Sequence, residues 1–345
     1  MEAARRYKRL PEIKRKWIDV SGEGLIETAY LKADQTLPLV LTPRLAGINL
    51  IDWARSNAEL VETQLRKHGG LLFRGFVLND VSEFEQFIRV VSGDVIEYQE
   101  RSSPRSLIDG KIYTSTDHPA DQAIFLHNEQ SYNLVFPLRI FFFCIRPAER
   151  GGETLLGDSR KILGRIDPGV RARLVDRKYM YLRNFGHGFG LTWQTTFQTS
   201  DRNAVESYCR EHDIQWEWKD EDHLTTRQIR PVVATHPRTG EDVWFNHATF
   251  FHVSTLDPDL QRVFANAFAA DELPNNTYYG DGSPIEPAVM DHLRQAYTEE
   301  QLALSWQAGD VLMLDNMLAA HGRAPYSGAR KIAVGMSELH SWNDV

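Results

Sequence analysis

Apolar residues recur along this chain at two spacings, and the alternation between them lays out the elements. Across residues 57–68, Ala58, Val61 and Leu65 fall at helical intervals, and Gly69-Gly70 stops the pattern. Leu71-Leu72-Phe73 then reads as a core strand with Arg74-Gly75-Phe76 at its end. Phe84, Phe87, Ile88 and Val91 predict a second amphipathic helix, opened by a Ser82-x-x-Glu85 capping box and closed at Gly93. Residues 97–123 are polar and turn-rich, too long for an ordinary connection, which points to a functional loop or lid. The run Ile140-Phe141-Phe142-Phe143-Cys144 shows no polar alternation and predicts a strand buried on both faces. Further on, Asp167-Pro168 starts a short helix, residues 179–184 form a strand, and Asp201 caps a helix reaching about His212. Residues 232–236 and 243–247 flank Pro237-Arg238-Thr239-Gly240-Glu241 as a hairpin. Two helical stretches, 286–296 and 298–304, precede closing strands at 311–314 and 331–336.

Many short strands with a few helices predict a β-rich α+β fold, a closed or sandwiched antiparallel core with helices packed on it. No internal repeat, low-complexity tract or linker interrupts the chain. The organisation expected is a basic segment over residues 1–30 and one domain over residues 31–345. That first segment carries Arg5, Arg6, Lys8, Arg9, Lys14, Arg15 and Lys16. It reads either as a solvated tail or as a docking patch for an acidic partner.

Composition narrows the class. The net charge of −8 argues against general polyanion binding, so no nucleic-acid partner is expected. No stretch approaches the roughly 18 apolar residues of a membrane span, and the N-terminus lacks a secretory apolar region. Cys144 and Cys209 imply no disulfide framework. A cytoplasmic protein with no membrane partner is the expectation.

The candidate chemistry lies in His127-Asn128-Glu129 and the distant His321. Two imidazoles and one carboxylate are the ligand set of a non-haem Fe(II) oxygenase, and they also suit catalytic zinc. In an extended segment His127 and Glu129 would point to the same side and grip one face of an ion. Three protein ligands leave the opposite face open.

Several motifs accompany this trio in order: Phe125-Leu126 before it, the buried strand, Gly151-Gly152-Glu153-Thr154, Gly309-Asp310-Val311-Leu312-Met313-Leu314-Asp315-Asn316, His321-Gly322-Arg323-Ala324-Pro325-Tyr326, and Arg330-Lys331-Ile332-Ala333-Val334. The set resembles the taurine dioxygenase/clavaminate synthase-like superfamily of Fe(II)/2-oxoglutarate-dependent oxygenases, over about residues 69–338. The resemblance implies a double-stranded β-helix (jelly roll) core with iron on His127, Glu129 and His321. It also implies 2-oxoglutarate and O2 as cosubstrates, with release of succinate and CO2. Arg330 has the fork geometry for the distal carboxylate of 2-oxoglutarate, though the residue alone reads equally as a surface ion pair; the family places its cosubstrate arginine on the strand after the last metal ligand. Lys331 points to the other face. Thr154 matches the family threonine that bonds the same carboxylate, where a lone strand threonine would be packing.

Substrate residues are less defined. Arg323 either orients the site and contacts substrate or forms a structural ion pair. Asn246 is a candidate pocket residue, His247 beside it a structural one. Trp193 stands with Asn184, Phe185, Gln194 and Phe197 in an aromatic stretch resembling the pocket cover of amino-acid hydroxylases in this group, or in a core. The carboxylate is Glu rather than the Asp of taurine dioxygenase-type members, which turns the resemblance toward the syringomycin-type amino-acid hydroxylases of specialised metabolism. Their substrates are amino acids, free or tethered to a carrier protein. Related halogenases lack the carboxylate, so Glu129 argues for hydroxylation, desaturation or cyclisation. Two other classes stay open: a zinc-dependent hydrolase, and a non-catalytic jelly-roll binding protein. Substrate-independent conversion of 2-oxoglutarate to succinate separates all three.

Overall fold

A computed structural model describes residues 23–97, 100, 107–114 and 118–345. The basic run Arg5–Lys16 lies outside the described residues. Strand Ile26–Lys32 crosses the expected boundary at residue 31 and pairs along its length with Gln35–Pro43, so the sheet begins earlier than the domain division placed it.

The largest sheet has eight strands, in the order Ile26–Lys32, Gln35–Pro43, Gly70–Phe73, Val311–Asp315, Val135–Arg146, Lys331–Ser341, Ile112–Thr114 and Leu107–Asp109. Its pairings are antiparallel apart from Gln35–Pro43 with Gly70–Phe73. A second sheet of four strands runs Leu302–Leu304, Thr154–Asp158, Ala319–Arg323, Ile124–His127. The long strand Val135–Arg146 shows why its sequence lacks polar alternation. Phe141 and Phe143 pack with Phe73, Phe84 and Phe87 under the helices Leu50–Ser56, Ala58–His68 and Val81–Ser92. Ile140, Phe142 and Cys144 face the other way and share a core with Leu156, Leu304 and Ala319 of the second sheet. Successive side chains of a strand point to opposite faces, so a strand between two apolar layers is apolar throughout.

Behind the second sheet lie Ser159–Arg165 and Pro287–Glu300, joined by a third sheet of Ile214–Trp218, Leu224–Arg230, Tyr179–Phe185 and Asn275–Tyr279. The predicted hairpin is present, as Val233–Thr235 pairs with Asp242–Trp244.

Three readings need correcting. The second helix is capped by Asp80, whose carboxylate accepts from Glu83 N–H, while Glu83 accepts from Asn79 N–H. The capping unit is therefore shifted two residues upstream of Ser82-x-x-Glu85. Residues 298–304 do not form a helix of their own: Pro287–Glu300 is continuous, and Leu302–Leu304 is a strand with Leu302 and Leu304 buried on either side of exposed Ala303. Residues 97–123 are not wholly a loop, because Leu107–Asp109 and Ile112–Thr114 extend the large sheet. Within that stretch, 98–99, 101–106 and 115–117 lie outside the described residues.

Candidate metal and cosubstrate site

The strands Ile124–His127 and Ala319–Arg323 pair antiparallel with His321 directly opposite His127. Gly322 makes that approach possible, since a β-carbon there would stand 2.5 Å from the Ile124 carbonyl oxygen. Glu129 arrives differently from the expectation. The strand ends at His127 and the chain turns, with Gln130 in the left-handed region at φ 56°. What fixes the turn is Asn316. Its Oδ1 accepts from Glu129 N–H at 2.7 Å, and its Nδ2 donates to the carbonyls of Glu129 at 2.8 Å and Pro137 at 2.7 Å. Asn128 Nδ2 in turn donates to the Asn316 carbonyl at 2.7 Å. Nothing in the spacing of the motif announces this bracket, whose partners are about 190 positions away in sequence.

Ligand atoms of His127, Glu129 and His321 all lie within 4.8 Å of one another. His321 Nε2 is 3.7 Å from Glu129 Oε2. Two donors bound about 2.1 Å from one ion can be no more than about 4.2 Å apart, so this pair is within reach of a shared metal. His127 Nδ1 is 2.9 Å from the Phe125 carbonyl, an acceptor, so Nδ1 carries the proton and Nε2 presents a lone pair. The residues fit a divalent cation. Phe250 and Phe142 wall the trio, with ring centroids 4.5 Å from His127 and 5.2 Å from His321 respectively. His247 is also here, its ring 5.6 Å from His127 and its Nδ1 sharing a 2.6 Å hydrogen bond with Ser131 Oγ. Burial above all, then the neighbouring His127, holds its pKa well below the ordinary histidine value, so the ring is neutral.

On the same face as His321, two residues along, lies Arg323; opposite it on the neighbouring strand is Thr154. Thr154 Oγ1 accepts from Trp306 Nε1 at 3.0 Å. Arg330 reaches in from the start of the Lys331–Ser341 strand, half-buried, and its Nε donates to the Gly152 carbonyl at 3.2 Å. Lys331 is exposed. A β-carbon on Gly152 would lie 3.1 Å from both Cδ and Nε of Arg330, and one on Gly151 would strike the Pro325 carbonyl at 2.1 Å. Gly152 thus leaves room for the Arg330 side chain, and Gly151 for the close approach of Pro325. Burial first, then the charge of Arg323, lowers the Arg330 pKa to about 10, so it remains a cation at neutral pH.

Of the substrate candidates, Asn246 and Trp193 are engaged elsewhere. Asn246 spends its amide on main chain, donating to the Val232 carbonyl and accepting from Ala248 N–H. It is a brace for the His247 segment. Trp193 is buried with Phe185, Val205, Cys209, Ile214 and Leu224 in the side layer, edge-on to Trp218. That is a core position. Arg323 makes no ion pair with a carboxylate among the described residues; its guanidinium donates to the carbonyls of His118, Pro119 and Gln122.

Comparison with known proteins decides the family. The model of the taurine catabolism dioxygenase TauD, TfdA family matches residues 34–336. The chain belongs to this family. A dapdiamide synthesis protein, DdaC, of Enterobacter agglomerans is 37% identical over 276 residues, covering 80% of this chain and 84% of that one. A clavaminate synthase-like protein of Arabidopsis thaliana is 26% identical over 317 residues, covering 87% and 93%. Among solved structures, PvcB from Pseudomonas aeruginosa superposes with a TM-score of 0.56 at 16% identity, covering 91% of this chain and 92% of that one. This TauD/TfdA family member is a dioxygenase that uses Fe(II), 2-oxoglutarate and O2. Among the described residues no helix is long and apolar enough to cross a membrane.

Proposed function

We propose that this dioxygenase oxidises an amino-acid-derived small molecule in specialised metabolism, holding iron on His127, Glu129 and His321 and the distal carboxylate of 2-oxoglutarate on Arg330 and Thr154. The observation that carries the reading is the register of His321 against His127 with Glu129 bracketed beside them. Bound iron supplies the oxidising chemistry; the chain's part is to orient two anionic ligands and keep one face of the ion accessible. In this reading the eight- and four-stranded sheets are the two halves of a double-stranded β-helix, and the site opens between them. Similarity to a protein named for dapdiamide synthesis supports an amino-acid-derived substrate, and Glu129 in place of Asp supports hydroxylation, desaturation or cyclisation.

The test is succinate formation from 2-oxoglutarate by the purified, Fe(II)-loaded protein against a panel of amino acids, free and loaded on a carrier protein, read by mass spectrometry. Stimulation by an amino-acid-derived compound supports the reading. Stimulation by a sulfonate or an aryloxy acid alone overturns the substrate class. A carrier-tethered form is favoured by the basic run Arg5–Lys16, whose attraction to an acidic carrier would weaken as salt rises. Equal turnover of free and tethered forms at every salt concentration would remove the carrier from the proposal.

A further inference from the structure

Arg323 has an unusual environment for a buried cation. Only 5% of its surface is exposed, and among the described residues every hydrogen-bond partner of its guanidinium is a main-chain carbonyl, at 3.2, 2.6 and 2.9 Å. Carbonyl dipoles hold the group in place without cancelling its charge. Asp121, in the same turn, is exposed and forms no ion pair with it. His118 adds no charge either, as burial and then Arg323 hold it below the ordinary histidine value. A second cation stands close by: the Arg323 and Arg330 guanidiniums lie 5.0 and 5.6 Å from the centroid of one ring, that of Tyr326. A buried cation held by carbonyls alone is costly, and the cost is relieved when an anion comes within its field.

We propose that Arg323 is a specificity-determining residue for the cosubstrate, a buried charge that acts with Arg330 to select a 2-oxo acid bearing a second carboxylate over one bearing a methyl group in its place. The inference rests on the cosubstrate site proposed above. Arg330 would contact the distal carboxylate, whereas Arg323, its hydrogen bonds taken by carbonyls, contributes through its field and through the fixed 118–122 turn. The face it shares with His321 and its place opposite Thr154 put that field along the cosubstrate.

The experiment is calorimetric binding of 2-oxoglutarate and of 2-oxopentanoate to the Mn(II)-loaded full chain, in which no turnover removes ligand. The quantity read is the ratio of the two affinities. Arg323→Met should lower the preference for 2-oxoglutarate by at least ~10-fold, the effect of one charge across roughly 12 Å at an effective dielectric of about 20, and by more at shorter range. Arg323→Lys should keep most of the preference. A proportional loss for both ligands in Arg323→Met, leaving the ratio unchanged, would make the residue a loop clamp only and overturn the proposal. Arg323→Gln, which retains an amide donor for the carbonyls, carries the same expectation should the Met variant not fold. Arg330→Met separates the two claims. A collapsed ratio there with an unchanged ratio in the Arg323 variants refutes only the role of Arg323, while unchanged ratios in both move the cosubstrate elsewhere.

Discussion

Two buried arginines in this protein are surrounded in opposite ways. Arg139 lies on the long central strand among carboxylates: it is ion-paired to fully buried Asp315, and it reaches Glu62 at 3.1 Å and Glu338 at 3.7 Å. His236 Nε2 and the amides of Met317 and Leu318 also bond Asp315, and Arg238 closes the ring onto Glu62 and Glu338. Arg323, by contrast, hydrogen-bonds only to carbonyls among the described residues. Burial acts on both cations. It is outweighed at Arg139 by the carboxylates, which raise its pKa, and is not outweighed at Arg323, whose pKa is lowered. The first arrangement is complete within the chain and serves the fold. The second, in the proposal made above, is completed by the cosubstrate.

The comparison predicts that damage on the two sides separates. The largest effect belongs to the proposed metal ligands: His127→Ala or His321→Ala should abolish 2-oxoglutarate turnover while the thermal midpoint of the metal-free protein stays near wild type. Full activity at normal iron occupancy would refute the assignment. On the structural side, Asp315→Asn leaves Arg139 without its buried partner and should cost about 3–5 kcal/mol of stability by chemical denaturation. Arg139 and His236 draw the Asp315 carboxyl down to about 2 in spite of its burial. A depressed carboxylate contributes stability above its unfolded value, and that contribution is lost as pH falls from about 4 toward 2. The acid limb of a stability profile should therefore flatten in Asp315→Asn.

Next in size, Arg330→Ala should raise the 2-oxoglutarate concentration needed for turnover at least ~100-fold, the lower end expected for removing a partner from a buried charge pair. Lys331→Ala should change it little, and the reverse ranking in a titration would transfer the role to Lys331. The smallest effect is expected at Trp193. Its core position predicts that Trp193→Phe shifts stability by about 1 kcal/mol and leaves cosubstrate affinity untouched. A changed substrate profile in that variant would return it to the pocket.

Legibility in the sequence followed the range of the interactions. Periodicity found Ala58–His68 and the double-faced strand through Phe141–Phe143 because local spacing and two-sided burial write themselves into consecutive residues. The capping unit was displaced because Asp80 and Ser82 each have an acid three residues on, and only packing chooses between them. Leu302–Leu304 looked helical because a three-residue apolar alternation is too short to reveal its period. At the site, the histidines and Glu129 stood out as a candidate set that the fold brings together, and Lys331 is exposed where Arg330 is half-buried, as alternation required. The bracket by Asn316, the carbonyl cradle of Arg323 and the shared ring of Tyr326 were not visible, since each joins segments that only the tertiary fold brings together.

The absent side chain at Gly322 ties function to the order of assembly. The strand that carries His321 can seat against Ile124–His127 only with a hydrogen at that position, and the two histidines it aligns come from places about two hundred positions apart. A slip of one residue would present Ala320 or Gly322 where His321 belongs and turn the imidazole to the opposite face. With His127, Glu129 and His321 as the proposed ligands, a chain mispaired here would lack one of the three, and an ion that finds all of them would reward the correct alignment alone. Iron supplied during refolding should accordingly raise the yield of correctly paired chain, and iron added afterwards should not recover the slipped fraction.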